Sequence, residues 1–349
     1  MKTARLTSVA LERDALSQPD RLSKTLDSVD SVIHAAGVNR GEPGSVRSGN
    51  IIAAEQLAAG IAGAEKPVRV VYANSVKSGD PSPYGEGKAA AAEILRNACS
   101  ATGSAFVDVQ LPHLFGECGV PYYNSAVATF AFDIAKGRHS EVNRSGRLEL
   151  LHAQDAAASL IERAVGSPSK DARLRGREIS VGGAYDLLER LADEYAGAQI
   201  PALVDRFELL MFNMLRAQLF PARYPIVLTD HRDERGSFVE IVRSHGEGQT
   251  SISTTQPGIT RGEHFHIHKI ERFVVLSGEA RMKVRRLDSS EVASFDVSGD
   301  DPVAVDMPTL HAHNIQNIGR TPLITMFWTN ELFDAAHPDT YPSSVEGSP

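Results

Sequence analysis

Three histidines alternate with other residues in the stretch GEHFHIHKIERFVVLSG, which runs from residue 262 to residue 278. The side chains of His264, His266 and His268 share one face only if the stretch is a β-strand, because alternate side chains of a strand point the same way. A helix turns about 100° per residue and would spread them over different faces. Alternate positions of a strand lie about 6.6 Å apart, so two imidazoles can reach one metal ion but a third cannot. The stretch therefore predicts a strand on which two of the histidines can bind one metal ion.

The region around these histidines is rich in short apolar runs separated by turn residues. From Tyr224 onward, runs such as RGSFVEIVR, ERFVVLSGEARMKVRRL and TPLITMFWTNELF follow one another. This pattern is typical of a small antiparallel barrel or sandwich. A further histidine, His313, lies 47 residues beyond His266. Such ligands suit zinc, iron, manganese or nickel and do not choose among them; we expect a divalent metal, with zinc as the first candidate.

The first half of the chain has a different organisation. Over about 165 residues, short β-branched runs alternate with alanine-rich stretches, which predicts βαβ units around a parallel, Rossmann-like sheet. The predicted strands are residues 4–12, 31–37 and 68–75, and the predicted helices are residues 20–29, 50–64 and 87–103. We place the domain boundary near residue 222, between a Rossmann-like domain at 1–222 and a β-barrel domain at 223–349.

A serine, a tyrosine and a lysine form a second candidate site. Ser75 ends the predicted strand VRVVYANS, and Tyr84 and Lys88 lie one turn apart on one face of the next helix. A lysine ammonium beside a tyrosine favours the phenolate, so we expect Tyr84 to exchange a proton near neutral pH. Ser75 can hydrogen-bond the same carbonyl oxygen. With a nicotinamide opposite, this set of residues reduces or oxidises a carbonyl.

These residues resemble the extended short-chain dehydrogenase/reductase superfamily. The sequence HAAG matches the turn that passes under the dinucleotide, and an asparagine opens the next helix as in that superfamily. The resemblance implies cofactor contacts from His34, Ala35, Ala36, Gly37, Asn50, Tyr84 and Lys88.

The segment PYYNS at residues 121–125 resembles the sugar-nucleotide pocket of one branch of this superfamily. The resemblance implies that Asn124 and Ser125 bind substrate, while ordinary capping of a loop explains them equally well. Gln110 stands where that branch usually has an arginine.

The start of the chain departs from the superfamily, whose domains begin with a strand and a Gly-rich turn that binds the pyrophosphate. Thirty residues precede SVIHAAG and none of them is glycine. We therefore expect the first strand and Gly-rich turn to be missing, through a misassigned start or a true truncation. Arg13 follows the first predicted strand, where such enzymes hold an adenosine 2′-phosphate. This position implies NADPH, and a surface arginine is the alternative interpretation.

The second half resembles the cupins. The spacings His264-x-His266-x4-Glu271-x6-Gly278 and Pro308-x4-His313-x3-Asn317 match the two cupin motifs in order, although Leu310 replaces a usual glycine. Residues 233–243 and 257–266 resemble cupin 3-epimerases and 3,4-ketoisomerases of nucleotide-linked 4-keto-6-deoxy sugars. In such sugars the ketone acidifies the C3 proton, a base removes it, and a positive group stabilises the enolate. The resemblance implies metal ligation by His264, His266, Glu271 and His313, with His268 and His311 as candidate bases.

Both halves, in this order, resemble the bifunctional capsular polysaccharide synthesis enzymes of CapF type over nearly the whole chain. The resemblance implies C3 epimerisation of a UDP-2-acetamido-2,6-dideoxy-4-hexulose by the cupin, then NADPH-dependent C4 reduction, towards UDP-N-acetyl-L-fucosamine. It also implies pairing into a homodimer or higher homo-oligomer through the cupin. Two alternatives stay open: an isomerase with an inactive front domain, and a non-catalytic sugar-nucleotide-binding protein.

Composition excludes several other classes. The formal net charge of −8 argues against a general nucleic-acid or anionic-membrane surface. No apolar run reaches the roughly 18 residues of a membrane span. Two cysteines are too few for a disulfide framework or a thiolate zinc site. We expect a soluble cytoplasmic protein.

Overall fold

The computed structural model describes residues 6–11, 13–166, 170–196, 199–234 and 236–347. By its internal contacts the chain divides into two compact units, which are Met1–Leu114 with Glu149–Glu178, and Phe115–Leu148 with Ile179–Pro349. The chain therefore crosses between the units more than once. The domain boundary near residue 222, between the Rossmann-like domain and the barrel domain, stays a prediction.

Helices are concentrated in the first two thirds of the described chain, and most strands follow them. The helices are α1 (Arg13–Leu16), α2 (Pro19–Asp27), α3 (Pro43–Gly63), α4 (Pro83–Thr102), α5 (Ala126–Ala135), α6 (Ala153–Val165), α7 (Val181–Ala196) and α8 (Arg206–Leu219). The strands up to residue 239 are β1 (Ser31–His34), β2 (Arg69–Ser75), β3 (Ala105–Leu111), β4 (His113–Phe115), β5 (Arg147–His152), β6 (Ala172–Arg173), β7 (Arg177–Ser180), β8 (Gln199–Ile200), β9 (Ile226–Val227), β10 (Asp230–Asp233) and β11 (Gly236–Val239). The later strands are β12 (Arg243–Ser244), β13 (Gln249–Thr255), β14 (Thr260–Phe265), β15 (Glu271–Ser277), β16 (Glu279–Arg286), β17 (Val292–Ser298), β18 (Val303–Met307), β19 (His311–Asn317), β20 (Leu323–Thr329) and β21 (Tyr341–Pro342).

The first unit contains a parallel sheet in the order β1-β2-β3-β6. Its core includes Leu22, Leu57 and Leu95, which come from three helices and pack with the strand residues Val70 and Tyr72. The alternation of strand and helix therefore predicted the Rossmann-like sheet correctly.

The strand predicted at residues 4–12 is wrong wherever the structure describes it, because residues 6–11 form no regular element. Extended backbone is stable where a neighbouring strand satisfies its polar groups, and β1 pairs only with β2 among the described strands. Leu6 and Val9 accordingly stay largely exposed.

Helix α4 places the tyrosine and the lysine of the first candidate site. Ser82 caps the helix by accepting a hydrogen bond from the Gly85 N–H at 3.1 Å, and Pro83 occupies the first turn, where its missing N–H costs nothing. Tyr84 and Lys88 follow in the first two turns, as the sequence predicts.

The second unit contains two five-stranded antiparallel sheets, in the orders β13-β20-β15-β18-β9 and β17-β16-β19-β14-β21. Apolar side chains from both sheets, among them Val275, Met282, Met307 and Ile315, form one core. This is the predicted antiparallel barrel.

Helices α7 and α8 join this barrel through buried polar contacts. The Arg272 guanidinium donates to both oxygens of Asp306 at 2.7 and 2.9 Å, and the Tyr195 hydroxyl of α7 donates to the same carboxylate at 2.6 Å. Arg216 of α8 donates to the Met307 carbonyl at 2.7 Å. These contacts explain why two helices that precede residue 222 belong to the barrel unit.

Candidate functional site

Four predicted metal ligands of the barrel lie together. One ligand atom from each residue lies within 4.8 Å of the other three, and three of the four side chains are buried. Glu271 Oε2 lies 2.9 Å from His266 Nε2 and 3.4 Å from His313 Nε2. The His264 ring centroid lies 5.0 Å from that of His266 and 4.7 Å from that of His313.

Strand pairing explains this convergence. In the ladder between β14 and β19, His264 stands opposite His313. A bulge between Gly262 and His264 precedes this pair, and Glu263 has a φ of 60° there. A side chain at residue 262 would approach the His313 carbonyl oxygen to 2.7 Å, so the close strand approach requires Gly262.

The hydrogen bonds of the histidines fix which nitrogen faces the cluster. His313 Nδ1 donates to the His311 carbonyl oxygen at 3.1 Å, and His266 Nδ1 donates to the Asp339 carbonyl oxygen. A carbonyl oxygen only accepts, so each Nε2 carries a lone pair when the ring is neutral.

The buried atoms at the centre fit a metal ion. Among the described residues, His266 Nε2, His313 Nε2 and Glu271 Oε2 are buried without a well-aligned hydrogen bond, although they lie close together. Buried polar atoms without partners are rare in native proteins, and two imidazoles with a carboxylate are a donor set that zinc and related ions prefer.

Burial controls the protonation of these groups. Burial, together with the nearby imidazoles of His313 and His266, lowers the pKa of His264 to about 4. Burial alone would raise the pKa of Glu271, but the proximity of His266 and His313 outweighs burial and holds that pKa far below its usual range. Neutral His264 and ionised Glu271 are the forms that bind a metal.

The cluster forms part of the wall of a cavity of about 480 Å³. The remaining wall combines aromatic side chains with a few polar groups, a composition typical of small-molecule sites. Besides the cluster, its wall includes Ser251, Arg261, Lys269, Phe273, Phe327, Glu331 and Phe333.

Two predicted catalytic histidines lie outside this lining. Strand β14 ends at Phe265, so the alternation does not continue, and the expectation that His268 shares a strand face with His264 is wrong. His268 Nε2 instead lies 3.5 Å from Arg206 Nη2. His311 is buried against Phe220 at a ring-centroid distance of 5.1 Å, and burial lowers its pKa to about 4. Neither position supports a role as the base, which stays a prediction.

The chain conformation explains the glycine that the second motif usually carries. Leu310 adopts a φ of 59°, a left-handed conformation that glycine adopts at least cost. Its N–H donates to the His266 carbonyl oxygen at 2.8 Å. The leucine thus keeps the backbone geometry that links the two motifs.

In the first unit, the structure brings Ser75 and Tyr84 together by a side-chain hydrogen bond. Burial raises the pKa of Tyr84, and the bond from Ser75 opposes this rise. Lys88 donates to the Ala73 carbonyl oxygen at 2.8 Å and lies over the Tyr72 ring, 4.3 Å from its centroid. The predicted lowering of the tyrosine pKa by the ammonium is therefore not seen in this arrangement. Burial lowers the pKa of Lys88 itself to about 8, against the charge of Asp108.

The turn after β1 contains the predicted cofactor contacts. Ala35 is exposed and Ala36 and Gly37 are half-buried at the carboxyl end of the strand, where sheets of this type receive a dinucleotide. A side chain at residue 37 would lie 2.6 Å from Asn50 Oδ1, and Asn50 Nδ2 donates to the Val38 carbonyl oxygen at 2.6 Å. Asn50 thus shapes the turn.

Three other predicted residues have different surroundings. Ser125 caps α5, with its hydroxyl accepting from the Ala128 N–H at 3.3 Å, and Asn124 is exposed. Their role in substrate binding stays a prediction. The side chain of Arg13 lies outside the described part of the structure.

Sequence patterns did not identify three further residues of the site, Lys269, Glu331 and Asp339. Lys269 and Glu331 line the cavity, and Asp339 contacts the turn after His266. The tail sequence HPDTY has no spacing that points to metal chemistry, so only the folded chain reveals Asp339.

Known proteins resemble the chain in sequence. Residues 231–341 match the polysaccharide biosynthesis C-terminal domain family. The chain is 29% identical over 334 residues to UDP-2-acetamido-2,6-beta-L-arabino-hexul-4-ose reductase of Pseudomonas aeruginosa, covering 94% of this chain and 90% of that protein. It is 30% identical over 122 residues to the spore coat polysaccharide biosynthesis protein SpsL of Bacillus subtilis, covering 32% of this chain and 81% of SpsL.

A solved structure matches the whole architecture. The capsular polysaccharide assembling protein CapF from Staphylococcus aureus superposes with a TM-score of 0.56 at 29% identity, covering 95% of this chain and 90% of that one. Fold and site thus define an enzyme of nucleotide-sugar and polysaccharide biosynthesis, with a Rossmann-like domain followed by an antiparallel barrel. Over nearly its whole length the chain is similar to this CapF protein and to the hexulose reductase, as its motifs predicted. Among the described residues, no helix has the length and apolar character needed to span a bilayer.

Proposed function

We propose that this protein epimerises C3 of a UDP-2-acetamido-2,6-dideoxy-4-hexulose at the barrel cluster and reduces C4 with NADPH at Tyr84. The product is a precursor of UDP-N-acetyl-L-fucosamine for capsule or another surface polysaccharide. The observation that carries the proposal is the cluster of Glu271 and three histidines, which forms part of the wall of a cavity of about 480 Å³. The hexulose reductase that resembles the whole chain supports the substrate class.

The C3 step needs a base that removes the proton, a positive group beside the C4 oxygen, and an acid that returns a proton to the opposite face of C3. His264, His266, Glu271 and His313 would hold a divalent metal ion, which supplies that positive charge when bound. Glu331 is the cavity carboxylate outside the cluster, and we assign the base to it in place of His268 and His311.

The C4 step uses the first unit. Ala35, Ala36 and Gly37 would hold NADPH, which would supply the hydride. Tyr84 donates its hydroxyl proton to the C4 oxygen, and Ser75 hydrogen-bonds the same oxygen and orients it. Lys88, which is buried beside Tyr72, contributes the positive charge of this site.

The test follows the C3 proton and the nicotinamide separately. The purified protein is incubated in D₂O with a divalent metal and the UDP-linked 4-keto sugar, with and without NADPH. We expect deuterium at C3 in both samples and NADPH oxidation in the second. A protein that leaves C3 protonated in both samples contradicts the proposal.

The same experiment separates the alternatives. Deuterium exchange without NADPH oxidation identifies an isomerase whose front domain is inactive. Binding of the sugar nucleotide without either reaction identifies a binding protein. A cytoplasmic location and a homodimer formed through the barrel stay predictions.

A further inference from the structure

The C-terminal segment at residues 338–346, called the strap below, runs beside the strand that carries the cluster. Its short strand β21 pairs with the end of β14, with Pro342 opposite His264 and Tyr341 opposite Phe265. The strap therefore lies next to two metal ligands although it contributes none itself.

Asp339 holds the turn that follows His266. Its carboxylate accepts three consecutive backbone N–H groups, from Ile267 at 3.1 Å, His268 at 2.9 Å and Lys269 at 2.8 Å. Its carbonyl oxygen accepts the Nδ1 proton of His266. One residue thus fixes both the backbone after the ligand and the orientation of the imidazole.

The backbone of Asp339 is itself constrained. Its φ is 43°, a left-handed conformation that costs a non-glycine residue free energy. Lys269 Nζ donates to the Pro338 carbonyl oxygen at 2.7 Å. The strained residue is thus held from its N-terminal side as well.

The far end of the strap is held beside the other two histidines. The Glu263 carboxylate, next to His264, accepts the Val345 N–H at 2.8 Å and the side-chain amide of Asn314, which neighbours His313. Arg285 of β16 donates to the Val345 carbonyl oxygen at 2.9 Å. The strap is therefore anchored at both ends around the cluster.

We propose that Asp339 is a positioning residue of the metal site, with the strap setting His266 in the tautomer and orientation that bind a divalent cation. The inference rests on the metal site of the proposed function. Groups that hydrogen-bond a ligating histidine orient its ring and raise its basicity, and their loss typically weakens metal binding about 10- to 100-fold.

The experiment measures the affinity of the full-length protein for Co²⁺ by competition with a chelator. We expect Asp339→Asn to weaken binding about 10- to 100-fold and to change the visible Co²⁺ spectrum, because an amide cannot accept all three N–H groups. Asp334→Asn is the matched control. Asp334 lies in the same tail but accepts from Ala336 N–H at 2.8 Å and from exposed His337.

Two further measurements keep the outcome decisive. Glu263→Gln releases the other end of the strap without touching Asp339, and we expect about a 10-fold loss of Co²⁺ affinity. In the apo protein, ¹⁵N spectra of the histidine rings report whether His266 keeps its proton on Nδ1, as we expect for the wild type only.

Each result has one meaning. Wild-type Co²⁺ affinity in folded Asp339→Asn and Glu263→Gln overturns the role of the strap and leaves the proposed function intact. A wild-type protein that binds no Co²⁺ overturns the metal site and the role of the strap with it. Wild-type metal affinity with no C3 exchange overturns the proposed function alone.

Discussion

Tyr84 is the residue on which the reductase half depends. Removing its hydroxyl leaves the C4 oxygen without a proton donor, and general acid catalysis typically contributes about 10²- to 10⁴-fold. We therefore expect Tyr84→Phe to slow NADPH oxidation at least about 100-fold, measured at 340 nm, which is the nicotinamide absorbance. Deuterium exchange at C3 serves as the internal control and should be unchanged. A normal oxidation rate in this variant would exclude Tyr84 as the donor.

His34 makes the stability of the protein depend on pH. Burial, assisted by the charge of Lys88, lowers its pKa from 6.5 to about 4. As the pH falls, the imidazole of His34 takes up a proton in the unfolded chain before it does so in the folded protein. The stability that neutral His34 contributes is therefore complete above pH 6.5 and is lost between pH 6.5 and 4. The contribution of His34 to this loss is about 2 kcal/mol between pH 7 and pH 5.

His34→Phe tests this linkage, since the ring would still stack on Tyr72, whose centroid lies 5.6 Å from that of His34. Denaturant unfolding measures the free energy of unfolding at pH 7 and at pH 5. We expect this free energy to fall by about 2 kcal/mol less in the variant than in the wild type. Equal pH dependence in both proteins would show that the buried ring is not the group responsible.

The barrel ligands show how far spacing alone can predict a site. The positions of His264, His266, Glu271 and His313 follow from two motifs, and the structure brings all four together. The role of His268 could not be predicted in the same way, because β14 ends at Phe265 and the alternation does not reach residue 268. Spacing predicts ligands reliably only while the chain keeps one regular conformation.

At the scale of elements, the buried pair of Arg272 and Asp306 ties β15 and β18 to α7. Both side chains are fully buried, and Asp306 also accepts from Tyr195. Removing one partner leaves an uncompensated buried charge, so we expect Asp306→Ala to lower the unfolding free energy of the barrel unit by about 3–5 kcal/mol.

The double variant Arg272→Met, Asp306→Leu provides the control. It removes both charges and fills their space with apolar side chains, so its unfolding free energy should fall less than that of Asp306→Ala. Thermal unfolding of both proteins measures the difference. A double variant that is less stable than the single one would contradict the argument that the unpaired charge of Arg272 causes the loss in Asp306→Ala.

The sequence could not show which unit helices α7 and α8 belong to. Their apolar periodicity predicts helices, and nothing in it tells which sheet they cover. The decisive contacts, such as Arg216 to the Met307 carbonyl oxygen, join residues 91 positions apart. Assignment of these helices to the barrel therefore required the folded chain.

In the whole molecule, the two candidate sites belong to different compact units. The Ser75, Tyr84 and Lys88 set lies within the first unit, and the Glu271 cluster lies within the second. Each set has its own hydrogen bonds, so a change in one leaves the groups of the other in place. The two reactions should then be separable by substitution.

Mixing two inactive variants tests this separation. Tyr84→Phe retains the C3 reaction, and Glu271→Gln, which loses a carboxylate ligand, retains the reductase residues. We expect each variant alone to oxidise NADPH at no more than a few per cent of the wild-type rate, because loss of a proton donor or of metal binding typically costs on the order of 10- to 100-fold or more. An equimolar mixture should regain activity, because the epimerised sugar leaves one molecule and is reduced by another. The recovered rate should rise with protein concentration. A mixture that stays inactive at every concentration would mean that the sugar passes between the sites without leaving the molecule, or that the two sets of residues do not perform separate reactions.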